Sequence, residues 1–168
     1  MKRIGIFYGS STGNCQTIAD LLKNELGEEK TDIFDVAFAK PTDLNKYDNL
    51  IFGISTWGSA DLQEDWMEFL SGLDSFIHNG KKIALYGLGD QHTYSDTFAD
   101  GMGILYEWLI ARNCHIVGHW PVDGYNFKNS KALKNGKFVG LVIDEDVQFK
   151  YSSSRVKKWV EILRNEFS

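Results

Sequence analysis

Six β-rich apolar runs, most of them separated by segments of helical periodicity, are the feature that most narrows what this chain can become. The runs cover residues 3–8, 32–38, 48–55, 81–87, 115–120 and 138–143. Between them, Ile18, Leu21, Leu22 and Leu26 share one face of a helix that Gly27 can end, and Leu62, Trp66, Phe69, Leu70 and Leu73 form a second stripe. Phe98, Met102, Leu105 and Leu109 form a third. Val156, Trp159, Val160, Leu163 and Phe167 form a fourth, after a polar start at 152–154. Residues 41–47 suffice for about one helical turn. Parallel strands need crossover connections and, buried on both faces, read as Val/Ile/Leu/Phe-rich runs like these. An open α/β sandwich is expected, with its ligand at the carboxyl ends of the strands where strand order reverses.

The 168 residues allow about one domain, and no repeat or linker divides them, so residues 1–168 are read as a single unit. The apolar runs, such as 50–54, fall far short of the ~18 residues a spanning helix requires. The start, Met1, Lys2, Arg3, lacks a signal-peptide h-region, so the cytoplasm is the expected location. Cys15 and Cys114 are far apart with no ligand spacing, which disfavours a disulfide framework or a zinc site. Redox chemistry would therefore need a bound cofactor.

A net charge of −5 argues against nonspecific nucleic-acid binding. The charge is uneven. Two stretches without a base, 47–80 and 83–111, hold Asp48, Asp61, Glu64, Asp65, Glu68 and Asp74, then Asp90, Asp96, Asp100 and Glu107. The remainder is basic, so the molecule is expected to be a dipole. Its negative side is either a solvated surface or one that steers a positively charged partner and opposes adding electrons to a neighbouring ligand.

Residues 121–137, rich in Gly, Asn and Lys, show no hydrophobic period and are read as an insertion splitting the fifth strand. Its Lys128, Lys131, Lys134 and Lys137 recur every three residues, either as a solvated face or as a basic stripe for a partner.

Three loops carry the chemistry. The first strand ends in Gly9-Ser10-Ser11-Thr12-Gly13-Asn14-Cys15, where hydroxyls meet a helix N-terminus, an arrangement that can cradle a phosphate or simply cap the helix. It lacks the lysine and spacing of GxxxxGK[ST], which disfavours triphosphate hydrolysis. The third strand ends in Ser55-Thr56-Trp57-Gly58-Ser59-Ala60-Asp61 and the fourth in Leu88-Gly89-Asp90-Gln91-His92-Thr93-Tyr94. A dinucleotide fingerprint from Gly87 and Gly89 fails, because its third glycine would fall at His92. Trp57 and Tyr94 each stand in a small-residue loop. Singly either is a loop anchor; together with the cradle they favour a phosphorylated planar ligand held by stacking.

These loops resemble those of the flavodoxin family, in particular its long-chain branch with an insertion in the fifth strand. Ser10-Ser11-Thr12-Gly13-Asn14-Cys15 is similar to the phosphate motif [ST]-x-T-G-x-T. Thr56-Trp57-Gly58 with residues 61–66 resembles the loop over the inner flavin face. Gly89-Asp90-Gln91 with Tyr94 and Thr97-Phe98-Ala99-Asp100 resembles the outer loop, and Asp144-Glu145-Asp146 the acidic turn near the ribityl chain. The resemblance spans essentially the whole chain.

It implies a three-layer sandwich with a five-stranded parallel sheet in the order 2-1-3-4-5 and noncovalent FMN as a one-electron carrier. Trp57 and Tyr94 would sandwich the isoalloxazine, and Asp90 with the backbone of Gly89 would meet its pyrimidine edge. The carbonyl near Gly58 would accept from N5 once protonated, a peptide flip that glycine makes cheaply. Ser55, Ser59, Leu88, Phe98 and Asp146 complete the expected cofactor set. Expected partners are electron-donating reductases and low-potential oxidoreductases with basic docking surfaces; no nucleic acid, no membrane and a monomer are expected.

Cys15 departs from the motif, replacing a threonine hydroxyl with at best a weak S–H donor. An inert packing role is expected, with weaker FMN binding than Cys15→Thr. His92, in the outer loop, is either an exposed bystander or a charge that makes the second potential pH-dependent. His78, His115 and His119 receive no role. The rival readings are an FMN-dependent NAD(P)H:quinone reductase, and a phosphoacceptor receiver. The receiver would need carboxylates where Gly9-Ser10 and Ser55-Thr56 stand.

Overall fold

The computed structural model describes residues 1–9, 13–56, 62–74 and 80–168. A parallel sheet forms its centre, with Thr31–Asp35 at one edge, then Ile4–Gly9, Asn49–Ser55 and Lys82–Leu88, and His115–Val117 beyond them, which is the order 2-1-3-4-5. Strand β1 spans Ile4–Gly9, β2 Thr31–Asp35, β3 Asn49–Ser55 and β4 Lys82–Leu88. All residues of β1 and β3 are buried, as two covered faces require. The expected fold is therefore present, with the reversal of strand order between β1 and β3.

Helix α1 (Asn14–Leu26) buries Cys15, Ile18, Ala19, Leu22 and Leu26. Helix α2 (Glu64–Ser71) buries Trp66, Phe69 and Leu70; α3 spans Asp100–Ile110, and α4 (Ser152–Glu166) packs against α1. Alternation along the strands assigns the layers. Phe52 meets Trp66 of α2, and the next positions on that face, Ile54 and Gly87, lie against α3. Tyr86, on the opposite face, reaches across Gly53 and donates from its hydroxyl to the Cys15 carbonyl of α1 at 2.8 Å. The residues 41–47 form a 3-10 helix at Pro41–Lys46.

The second run ends earlier than its hydrophobicity suggests. The N–H groups of Phe38 and Ala39 bond the Asp35 carbonyl and that of Ala37 its carboxylate, which closes a turn and leaves Phe38 85% exposed. The fifth strand is split as expected. Strand β5 (His115–Val117) pairs with 82–84 of β4, and β9 (Leu141–Ile143) pairs with 86–88.

The insertion between these halves is more organised than its missing periodicity suggests. Strands β6 (Trp120–Pro121), β7 (Leu133–Lys134) and β8 (Lys137–Phe138) form an antiparallel sheet in the order β6-β8-β7. Phe138, Phe127, Tyr125 and Phe98 pack ring against ring, with centroids 5.2–6.2 Å apart. These anchors are irregularly spaced, so no period records them. Lys134 is paired with Glu107, so the four lysines are not one uniform stripe. Among the described residues, no helix is long and apolar enough to cross a membrane and no cluster of side chains could hold a metal.

Candidate functional site

The start of α1, Thr56 at the end of β3, the loop after β4 and the turn after β9 lie at the carboxyl edge of the sheet. Gly13 begins α1 with φ 88°, a conformation that suits glycine, and with no side chain to cap the helix. The first turn contains no acid, so the helix N-terminus presents positive potential without a neutralising carboxylate. Asn14 is half-buried there. The Cys15 side chain is fully buried, its Sγ 3.2 Å from the Ser55 Oγ, so the thiol packs between α1 and β3. Ser10, Ser11 and Thr12 lie outside the described residues, as do Trp57, Gly58, Ser59 and Asp61.

Thr56 ties β3 to its neighbours: its N–H donates to the Leu88 carbonyl at 2.9 Å, and its Oγ1 accepts from the Gly101 N–H at 2.7 Å. Leu88 is thereby spoken for at its carbonyl and is buried. The Gly89 N–H donates to the Ile143 carbonyl at 3.2 Å, which ties the loop after β4 to the end of the split fifth strand. The Asp90 Oδ1 accepts from the N–H groups of His92 and Thr93 at 3.0 and 2.8 Å. Burial opposes ionisation of that carboxyl, but these bonds prevail and hold its pKa below the ordinary value. His92 is exposed.

The same turn continues through Tyr94, whose N–H donates to the Asp90 carbonyl. Tyr94 is half-buried and its ring stacks on no other ring among the described residues. Phe98 is fully buried in the insertion's aromatic cluster and supports the loop from beneath. Asp146 is exposed, and its carboxyl is raised above the usual value by partial desolvation first, then by the charges of Asp90 and Asp144.

The structure therefore brings Gly13, Asn14, Thr56, Gly89, Asp90 and Tyr94 to one edge, with Cys15, Ser55, Leu88 and Phe98 buried behind them. It also reveals hydrogen bonds of the acidic turn that the pattern of residues did not announce. Asp144 is fully buried and accepts four hydrogen bonds, from Gln91 N and Nε2 and from the N–H groups of Asp146 and Val147. An aspartate directly after a strand is a familiar turn signal, and that was the available clue. A separate polar cavity of about 650 Å³, lined by Asp20, Lys23, Asp32, Asp35 and Tyr47 among others, lies beside β2 and away from these loops.

A helix N-terminus with no acid in its first turn and a half-buried tyrosine on the loop after β4, gathered at the carboxyl edge of a doubly wound sheet, define a ligand-binding protein of the open α/β class. The flavodoxin family profile matches residues 6–159. A flavodoxin of Synechococcus elongatus is 48% identical over 168 residues, covering 99% of both chains. One of Nostoc is 46% identical over 166 residues, covering 99% of this chain and 98% of its own. The structure of a Fusobacterium nucleatum flavodoxin bound to flavin mononucleotide superposes with a TM-score of 0.92 at 30% identity, over 100% of each chain. This chain belongs to the flavodoxin family.

Proposed function

We propose that this protein carries electrons one at a time on noncovalently bound FMN, passing them between larger redox enzymes and turning over no substrate of its own. The observation that carries this reading is the gathering of the α1 N-terminus, Thr56 and the loops after β4 and β9 at the carboxyl edge of a fold that matches, end to end, a flavodoxin bound to flavin mononucleotide. Flavodoxins are themselves a standard illustration of ligand binding at that edge. When bound, FMN supplies the two successive one-electron steps.

The residues present fit such a ligand. The N-terminus of α1 at Gly13, Asn14 and Cys15, with the hydroxyls of Ser10, Ser11 and Thr12, suits a phosphate without a cationic side chain. Tyr94, held on a turn closed by Asp90, offers its ring to one face of a planar heterocycle, and Trp57 is assigned the other. The Gly58 peptide is assigned the N5 edge. Thr56, which belongs to the proposed cofactor set, also locks the end of β3 to β4 and α3 through its two hydrogen bonds.

The partners proposed are electron-donating reductases and low-potential oxidoreductases with basic docking surfaces. Glu64, Asp65 and Glu68, at the start of α2, are the acids best placed for this, since none is ion-paired among the described residues. The full negative stretch is less uniform than its count suggests: Asp74 pairs with Arg112, Glu107 with Lys134, and Asp90 and Asp100 are buried. A monomer in the cytoplasm fits this role.

Titration of the apo-protein with FMN, followed by assay with NAD(P)H and a quinone without added reductase, tests the reading. Stoichiometric binding without steady NAD(P)H consumption is expected. Sustained turnover would instead indicate an FMN-dependent NAD(P)H:quinone reductase, and failure to bind FMN would overturn the reading.

A further inference from the structure

Gln91 has no part in the cofactor set, yet it is 4% exposed and its side chain makes two hydrogen bonds, one buried and one half-buried. Its Nε2 donates to the Asp144 Oδ2 at 2.8 Å, beside its own N–H at 2.9 Å on the same oxygen. Its Oε1 accepts from the Asn126 N–H, within the insertion, at 2.7 Å. The other oxygen of Asp144 accepts from Asp146 and Val147, which closes the turn after β9. One glutamine–aspartate pair thus joins the loop after β4, the insertion and the loop after β9.

A second seam lies a few residues along the same loop. The Lys128 N–H donates to the Ser95 Oγ at 2.8 Å, and the Phe98 N–H donates to the Asn129 carbonyl at 3.2 Å. Tyr94 falls between the two seams, on a span that the insertion grips at both ends. A buried glutamine whose amide is used at both ends tolerates little displacement, because moving it strands a backbone donor and leaves a buried carboxylate short of a partner.

We propose that Gln91, through Asp144 and Asn126, is a positioning residue by which the insertion holds the Tyr94 ring against the outer face of FMN. The proposal rests on the cofactor reading above. Gln91 itself touches no flavin atom in this scheme. Its effect is to keep the loop in its binding conformation before the ligand arrives, which lengthens the ligand's residence.

Gln91→Met preserves the length of the side chain and deletes both of its hydrogen bonds. Asn126→Pro removes the N–H from the insertion side, at an exposed position, and leaves Gln91 and Asp144 in place. FMN release is expected to quicken by about tenfold for the first and about threefold for the second, in proportion to the bonds lost. In the apo-proteins, amide exchange should accelerate across 92–97 while the amides of β1 and β3 keep their wild-type rates, a pattern that general destabilisation would not produce. Wild-type release rates in both variants, with FMN bound normally by the parent, would overturn the positioning role alone. Failure of the parent to bind FMN would overturn the cofactor reading and this role with it. If Gln91→Met does not fold, Asn126→Pro decides.

Discussion

Cys15 shows how a single residue divides between scaffold and site. Its Sγ is buried against the Ser55 Oγ and its carbonyl accepts from Tyr86, so the side chain secures α1 to β3 and the backbone alone faces the helix opening. A threonine carries two γ atoms. One can keep the thiol's place while the other adds a hydroxyl at the phosphate end of the helix. Cys15→Thr is therefore expected to bind FMN more tightly, by about two- to tenfold for one added hydrogen bond, in a fluorescence titration of the apo-protein. Equal dissociation constants would contradict this. The motif around Cys15 was legible because its residue types announce their chemistry: small hydroxylic residues, glycine and a helix start. The hydrogen bonds that join Gln91 to Asp144 were not, since they span a long separation in sequence, which no local pattern encodes. The commitment of the Gly89 N–H to Ile143 was hidden for the same reason.

At the scale of elements, the insertion is the part with the most structure for the least sequence signal. It packs directly on α3: a Cβ built on Gly103 would lie 2.3 Å from the Lys131 carbonyl carbon and 2.6 Å from the Ala132 nitrogen, both backbone atoms that cannot swing aside. Gly103→Ala is expected to destabilise the protein by about 1–3 kcal/mol through this overpacking. Urea unfolding checks it, and an unchanged midpoint would show that the insertion yields freely. The parallel strands and amphipathic helices were readable because burial on two faces or one imposes composition and period. Element ends were less so. Strand β2 stops where the Asp35 carboxylate captures the Ala37 N–H, and β5 stops at Gly118 with φ 79°, events set by one residue each. The split fifth strand was legible as a gap between two apolar runs; the small sheet filling the gap depends on isolated anchors such as Trp120, Phe127 and Phe138.

Across the whole molecule, charge and topology converge on the same edge. Glu64, Asp65 and Glu68 open α2 at the carboxyl side of the sheet, where screening by salt acts on any encounter with a basic surface. The association rate with an electron-donating reductase of basic surface is expected to fall by about tenfold between low salt and ~0.3 M, as measured by stopped flow. A rate independent of salt would remove the steering role from this face. The central claim, that the protein separates two electrons rather than delivering them as a pair, is tested most directly by anaerobic photoreduction of the FMN-loaded protein with visible absorbance recorded throughout. A carrier accumulates a blue, one-electron-reduced flavin before the fully reduced form appears. Direct passage from oxidised to two-electron-reduced flavin, with no intermediate band, would contradict it.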